Sequence, residues 1–399
     1  MQADPATVEM LSTPRSGPLA GIVVADLSRV LAGPYATMLL ADMGAHVIKI
    51  ESSLGDDTRT WVPPVRDGEG TYFLSVNRGK HSIALDFADP EQLAIAHEIV
   101  SRADVLVENF RPGSLARFGL DYAALSAQHP SLVYASITGF GAALGADLPG
   151  YDLLVQAVSG LMDLTGTTEG GPTKVGVAVV DVITGVHATA GILAALNARH
   201  ETGRGDHVEV ELLTSILSAL VNQTSAYVAG GVVPTRMGNE HPSLTPYEPF
   251  PTADDDLVIA VGNDGQFARL CEVIGMPDLA SDERFATMGQ RNAHRAELRV
   301  LLSERLRTRG ADEWFEALRL ARVPAGPIQG VDGGIRLATR LGLEPVVETG
   351  TGERRIPTVR HPIRYGASEL DYAKAPPRLD ADRDAVLEWL ATTEAVSGR

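Results

Sequence analysis

From residue 21 onward the sequence alternates short apolar runs with longer amphipathic stretches, and no other feature constrains the fold as strongly. The runs GIVVADL, HVIKIES, DVLVENF and SLVYASI predict buried strands, whereas PYATMLLADMG and PEQLAIAHEIVSRA carry apolar residues at helical spacing. Strands that are apolar throughout and are separated by helices indicate a parallel sheet covered on both faces. The sequence therefore predicts an α/β fold that binds its ligands at the carboxyl ends of the strands.

The pattern changes near residue 230, where GGVVPTRMGNEHPSLTPYEPFPTADDD is rich in Pro, Gly and turn-forming residues. A strand, LVIAVG, follows, and the residues around TADDDL predict a hairpin. The chain has 399 residues, and single domains usually run to roughly 100–200 residues. We predict four segments: a disordered leader (1–17), a large domain (18–229), a small α+β domain (230–330) and a C-terminal segment (331–399).

Charge and composition limit the classes of molecule that this protein can bind. The net charge of −17 argues against nucleic acid, because phosphate backbones need clustered Lys and Arg. It leaves open a phosphorylated ligand in a local basic pocket. No stretch of about 18 uninterrupted apolar residues predicts a membrane span, and the first 17 residues lack the apolar core of a secretion signal. The single cysteine, Cys271, excludes an intrachain disulfide. These features predict a cytoplasmic protein with no membrane or nucleic-acid partner.

Several familiar cofactor and nucleophile motifs do not occur in the sequence. LSRVLAGP follows the first strand in place of GxGxxG, which disfavours a dinucleotide site, and neither GxxxxGK[ST] nor GxSxG occurs. His187 and His241 lack the spacing of metal ligands, so no metal site is predicted.

Asp181 is the main candidate for a catalytic residue. It ends the run VGVAVVD, which predicts a strand, and begins the helix VITGVHATAGILAALNARH. One interpretation is a helix cap that accepts the amide of Ile183 or Thr184. The other is a carboxylate nucleophile, kept ionised by the positive end of the helix. A cap turns its oxygens towards the helix, whereas a nucleophile exposes one to a cleft, and the residues alone leave both interpretations open.

The segment VENFRPG is a candidate ligand site. It places Asn109, Phe110 and Arg111 at the end of a predicted strand, and Arg117 follows within two helical turns. An adenine or a phosphate could be bound there. The alternative is that the arginines are solvated surface cations, as most arginines are.

Taken in order, these segments resemble the class III CoA-transferases, the CaiB/BaiF family. The likeness runs from about Pro18 onward and rests on DLSRVLAGPYATMLLADMGAHVIKIE, VNRGKHSIALD, VENFRPGSLARFGLDY, GYDLLVQAVSGLMDLTG, GVAVVDVITGVHATAGILAAL and HETGRGDHVEVEL. It implies a Rossmann-like parallel-sheet large domain that the C-terminal segment completes, a small inserted α+β domain, and two chains interlocked as a homodimer.

The resemblance also implies an activity. The family moves coenzyme A between carboxylic acids through a covalent aspartyl intermediate, which falls on Asp181. Acyl-CoA and a small carboxylic acid are then the substrates, and no cofactor is permanently bound. The positions that match the family's CoA contacts are Leu31, Ala32, Leu85, Asn109, Phe110, Arg111, Arg117 and Tyr151.

The sequence departs from formyl-CoA transferase, a member of that family, at several contacts. A glutamine there corresponds to Leu31, an arginine to Ser52, and basic residues lie near the positions of Ala88 and Pro149. The phosphate pocket is therefore expected to use other cations, namely Arg78, Lys80, Arg111 and Arg117.

The segment GNEHPSLTPY replaces a glycine-rich active-site loop of formyl-CoA transferase. It is more similar to members that handle dicarboxylic acids with succinyl-CoA, which predicts succinyl-CoA as the donor in place of formyl-CoA. His241 in this segment is either a contact for a distal carboxylate or a solvated loop histidine.

Two other functions stay open. The α-methylacyl-CoA racemases share the fold but use a histidine–aspartate pair, with the histidine in the segment that matches GYDLL. Here Tyr151 and Asp152 occupy that segment and no histidine is adjacent, which counts against proton abstraction at neutral pH. An inactive CoA-binding scaffold is the non-enzymatic alternative, and the presence of Asp181 argues against it.

Overall fold

The computed structural model describes residues 15–352 and 354–392, so most of the predicted leader lies outside the described residues. The described chain divides into two compact units. The first runs to Leu161, resumes at Val175–Val232 and ends with the segment from Glu344; the second comprises Met162–Lys174 and Val233–Leu343. The domain limits at 230 and 330 remain predictions.

The strands are β1 (Val23–Asp26), β2 (His46–Glu51), β3 (Val65–Arg66), β4 (Glu69–Gly70), β5 (Lys80–Ala84), β6 (Val105–Glu108), β7 (Val133–Thr138), β8 (His207–Glu211), β9 (Tyr247–Pro251), β10 (Asp256–Ala260), β11 (Ala325–Pro327), β12 (Val346–Thr349) and β13 (Ile356–Val359).

The α-helices are α1 (Ala32–Asp42), α2 (Thr71–Val76), α3 (Pro90–Ser101), α4 (Tyr122–Gln128), α5 (Asp152–Val158), α6 (Leu161–Leu164), α7 (Val179–Thr202), α8 (Leu212–Ala219), α9 (Asn222–Val228), α10 (Asp264–Val273), α11 (Met288–Ala293), α12 (Arg295–Leu306), α13 (Ala311–Leu320), α14 (Val331–Arg340) and α15 (Arg383–Thr392). Short 3₁₀ helices span Asp57–Thr60, Ala116–Phe118 and Pro277–Ala280.

The first unit is built on a parallel sheet with strand order β5-β2-β1-β6-β7-β8. Successive strand residues point to opposite faces, so Val24 and Val47 pack in one core with α1 and α7, and Ala25 and Ile48 pack in the other with α3. The predicted parallel sheet with two covered faces is therefore confirmed. Its order is that of the doubly wound dinucleotide-binding fold.

The C-terminal segment packs along the edge strand β5 of the same unit. The carboxylate of Asp382 accepts the amide of Ser82 at 2.9 Å, and that of Asp380 accepts the amide of Ala84 at 2.8 Å. Helix α15 then buries Val386 in the core that contains α3. These contacts explain why a segment so late in the sequence belongs to the first unit.

The predicted strand at residues 175–181 is wrong. Val175 donates its amide to the side chain of Gln156 at 2.9 Å and joins no sheet, and helix α7 already begins at Val179. The run contains an apolar residue, Val180, that lies in the first turn of the helix and is buried there. Among the described residues, α7 is the one helix long and apolar enough to cross a membrane by length and composition alone, a property that core helices share.

The second unit contains the antiparallel sheet β11-β10-β9 and helices α10 to α14. The predicted hairpin is confirmed, because Asp256 pairs with Pro251 across the β9–β10 turn. The core of this unit includes Cys271 and Trp314, both fully buried, and burial raises the pKa of the Cys271 thiol to about 12. The cysteine is thus a neutral core residue.

Candidate active site

The order of the strands in the sheet reverses at β1, which lies between β2 and β6. In doubly wound sheets a ligand crevice forms at this switch point, beyond the carboxyl ends of the strands. A cavity of about 630 Å³ lies there. Its walls come from residues 29–32 after β1, 109–112 after β6 and 137–141 at the end of β7.

The structure brings most of the predicted site residues together at this cavity. The ones that line it are Leu31, Ala32, Asn109, Phe110, Arg111, Tyr151 and Asp181. The remaining two do not line it. Leu85 is buried in the core beside α3, whereas Arg117 is exposed and its guanidinium lies 4.5 Å from the ring centroid of Phe118.

Asp181 lies in the first turn of α7, and its half-buried side chain forms part of the cavity wall. The cap interpretation is wrong, because Ala178 occupies the cap position. Across residues 15–352 and 354–392, no side chain or backbone amide donates a hydrogen bond to the Asp181 carboxylate. The structure therefore holds an unpartnered carboxylate at the edge of a ligand-sized cavity.

Asp152 instead accepts hydrogen bonds from the free backbone amides at the start of helix α7. Its Oδ2 accepts the amides of Val180 at 2.8 Å and Asp181 at 3.2 Å, and its Oδ1 accepts Nε2 of Gln156 at 2.5 Å. Two neighbouring carboxylates thus have separate tasks. Asp152 is occupied by hydrogen bonds, and Asp181 is left to face the cavity.

The electrostatics of Asp181 differ from the sequence expectation. Burial raises the pKa of its carboxyl group, and the neighbouring Asp152 carboxylate raises it further, to about 7. A helix N-terminus should have lowered this pKa. Burial outweighs the stabilising effect of that terminus, and Asp152 weakens the effect further because it accepts two of the free amides and adds a like charge nearby.

Two aromatic residues beside the acids were not singled out from the sequence. Burial, followed by the charges of Asp181 and Asp152, raises the pKa of Tyr72 to about 12, so the phenol stays protonated. The ring of Tyr72 meets that of Trp61 edge-on, with centroids 5.2 Å apart, and Trp61 lines the cavity. Both lie between β2 and β5, in a segment with no charge motif that could have marked them.

Two arginines line the cavity, and each is paired with an acid of the same wall. Arg29 Nη1 lies 3.0 Å from Asp57 Oδ2, and Arg111 contacts Asp147. All four side chains are more than half exposed. Exposed pairs of this kind are worth about 0–1 kcal/mol, so an incoming anion can displace the acids at little cost.

The expected phosphate role of Arg78 and Lys80 is wrong, since both side chains are buried and already paired. Arg78 donates Nη2 and Nε to Asp42 at 2.6 and 2.8 Å. Lys80 Nζ lies 3.0 Å from Asp26 Oδ2, and neither side chain of that pair is exposed. Within the described part of the chain, no group of three or more His, Cys, Asp and Glu side chains could hold a metal ion.

Comparison with known proteins gives consistent matches over nearly the whole chain. The family model for CoA-transferase family III matches residues 19–383. A succinate–glutarate CoA-transferase of Agrobacterium fabrum is 43% identical over 392 residues, which cover 95% of this chain and 97% of that protein. An acetyl-CoA:oxalate CoA-transferase of Acetobacter aceti is 39% identical, with coverage of 95% and 97%.

A solved structure also matches the fold. A CaiB/BaiF family protein from Brucella suis superposes with a TM-score of 0.84 at 40% sequence identity. The superposition covers 94% of this chain and 100% of that chain. The large parallel sheet with its smaller antiparallel sheets is therefore an architecture already seen in a crystal.

Proposed function

Because this chain belongs to CoA-transferase family III and is a CoA-transferase, we propose that it moves coenzyme A between carboxylic acids through a covalent intermediate on Asp181. The observation that carries the proposal is the Asp181 carboxylate on the cavity wall, where no described group donates a hydrogen bond to it. A carboxylate without a structural task at the carboxyl end of a parallel sheet is a natural nucleophile.

The first half-reaction loads coenzyme A onto the enzyme. An oxygen of Asp181 attacks the thioester carbonyl of the donor, the C–S bond breaks, and a mixed anhydride and the CoA thiolate form. The thiolate then attacks the aspartyl carbonyl, and the donor acid leaves as its carboxylate. The enzyme is left as an aspartyl-CoA thioester, and bound CoA gives the thiolate a high effective concentration.

The second half-reaction runs the same steps in reverse. The acceptor carboxylate attacks the aspartyl thioester, the thiolate leaves, and it returns to the acceptor carbonyl of the new anhydride. Asp181 is released as a carboxylate. Each attack creates an oxyanion that needs N–H donors. The backbone amides of Leu31 and Ala32, at the start of α1 and on the same cavity wall, have no acceptor within that helix.

The substrates are proposed to be acyl-CoA and small dicarboxylic acids, with succinyl-CoA as the donor. Support comes from the relatives, one named for succinate and glutarate and the other for oxalate. The racemase alternative is not favoured, since these relatives are named as transferases. An interlocked homodimer in the cytoplasm, with no cofactor permanently bound and a role in acyl-CoA metabolism, completes the proposal.

A substrate screen tests this proposal. The protein is incubated with succinyl-CoA, acetyl-CoA or glutaryl-CoA against a set of unlabelled carboxylic acids, and new acyl-CoA species are identified by mass spectrometry. We expect exchange between succinyl-CoA and at least one dicarboxylic acid. Failure of every pair, with intact CoA binding, would contradict the transferase function. Solvent deuterium at the α-carbon of a 2-methylacyl-CoA would support the racemase instead.

The activity should depend on pH through Asp181. Only the ionised carboxyl group is a nucleophile, so kcat/KM should rise as the pH passes the pKa of about 7. Asp152→Asn removes the neighbouring charge and should move this rise to lower pH. The measurement is a pH profile of kcat/KM for both proteins, and an unmoved profile in the variant would assign the titration to another group.

Arg117 lies outside the cavity wall, and we propose that a phosphate of CoA reaches it there. Arg117→Ala should then weaken CoA binding by about 3- to 10-fold at low salt, because that charge-assisted contact would be lost. The loss should shrink as salt is added. Titration calorimetry with CoA at two ionic strengths measures it, and Arg204→Ala, which removes another exposed arginine outside the cavity, is the control. Equal CoA affinity in the Arg117 variant and the wild type would remove Arg117 from the site.

A further inference from the structure

The turn from Ser28 to Ala32 joins β1 to α1 and supplies part of the cavity wall. Its middle residue, Val30, has φ of 70°. This left-handed region is costly for a β-branched side chain. A valine holds such a conformation only where the surrounding contacts impose it.

A buried ion pair supplies those contacts. The amide of Val30 donates to both oxygens of Asp56, each at 3.3 Å. Lys49 Nζ lies 2.9 Å from Asp56 Oδ2 and also donates to the carbonyl of Ser28 at 2.8 Å. The side chains of Lys49 and Asp56 are 1% and 0% exposed. One fully buried pair thus binds the Ser28 carbonyl, two residues before the strained position, and the amide of the strained residue itself.

Arg29, the residue between these two contacts, is held by Asn109, which follows the neighbouring strand β6. Asn109 Oδ1 accepts the amide of Arg29 at 2.9 Å, and Asn109 Nδ2 donates to the carbonyl of Arg29 at 2.7 Å. Both polar atoms of the Asn109 side chain are therefore engaged by the turn. Each backbone polar group from the Ser28 carbonyl to the Val30 amide has a side-chain partner.

From this geometry we infer that Lys49 and Asp56 are positioning residues for CoA transfer, which hold Val30 in its left-handed conformation and so keep Leu31 and Ala32 on the cavity wall beside Asp181. The inference rests on the proposed function. Asp56 also accepts the amide and hydroxyl of Thr58 at the start of a 3₁₀ helix, and buried ion pairs in general contribute little to stability. The contacts of the pair to the Ser28–Val30 backbone are separate from that cap, and their effect is to fix the cavity wall.

The test is Asp56→Asn, alone and combined with Val30→Gly. Asp56→Asn should lower kcat by about 10- to 100-fold, the scale on which small misplacements act, with little change in KM for acyl-CoA. Glycine adopts the left-handed conformation without help. The double variant should therefore recover at least about 5-fold in kcat over Asp56→Asn, a coupling that independent sites do not show.

If Asp56→Asn does not fold, the comparison is made in Lys49→Met/Asp56→Asn, which leaves no unpaired buried charge, with and without Val30→Gly. Wild-type kcat in the Asp56 variant, or no recovery with glycine, would overturn the inference. A crystal structure of the variant gives a readout independent of turnover, since Val30 should leave the left-handed region. An inactive wild type would instead contradict the proposed function, and the Val30 conformation would still decide the inference.

Discussion

Asp181→Ala is expected to abolish CoA exchange, with kcat falling by roughly 10⁴-fold or more, as when nucleophiles are removed from other covalent enzymes. Alanine leaves no group that can form the anhydride or the thioester, and no described side chain is placed to substitute, since the Asp152 oxygens are engaged by the start of α7. The measurement is the steady-state rate of acyl-CoA exchange by mass spectrometry.

Two controls accompany this prediction. CoA binding by calorimetry should be retained, because Asp181 contributes a negative charge to the cavity and not a contact that attracts phosphate. Glu91→Gln changes another carboxyl group in the first turn of a helix, on α3 and outside the cavity, and should keep wild-type exchange. Substantial turnover by Asp181→Ala would exclude the covalent role.

Arg78→Met should lower the free energy of unfolding by about 3–5 kcal/mol, because it leaves a buried carboxylate without its cation. Asp42 is fully buried and receives two hydrogen bonds from Arg78. Burial raises the pKa of the Asp42 carboxyl group in spite of Arg78, so without the arginine Asp42 should take up a proton. Urea unfolding followed by circular dichroism measures the change.

The matched control for this variant is Arg117→Met, which truncates an exposed arginine and should change the free energy of unfolding by no more than about 0.5 kcal/mol. We therefore expect the Arg78 variant to lose stability and the Arg117 variant to lose CoA affinity. An Arg78 variant with unchanged stability and weakened CoA binding would show that Arg78 is a phosphate ligand after all.

The parallel sheet was predictable from the sequence because its strands are buried on both sides. The run HVIKIES, for example, contains β2, and each residue of that strand, His46–Glu51, is buried. The two-residue strands β3 and β4 left no such signal, since their pairing depends on a tight turn and not on an apolar pattern. The strand predicted for VGVAVVD was wrong, because an apolar run can also supply the buried residues at the start of a helix. Val180 is such a residue at the start of α7.

The site was predictable only in part. The resemblance marked Asp181 and the expected CoA contacts, and most of these residues line one cavity. The partners of the charged residues were invisible, because Asp152 lies 29 positions from the amide of Asp181 that it accepts, and Arg78 lies 36 from Asp42. Pairings over such separations are made by the fold, and a sequence pattern carries no trace of them.

Trapping the acylated carboxyl group tests whether Asp181 forms a covalent intermediate. The protein is incubated with succinyl-CoA and hydroxylamine, digested, and the peptide that contains Asp181 is sequenced by mass spectrometry. Hydroxylamine attacks the activated aspartyl carbonyl and releases CoA, so we expect a hydroxamate at Asp181 together with loss of exchange. An unmodified Asp181 in protein that still exchanges CoA would contradict this expectation.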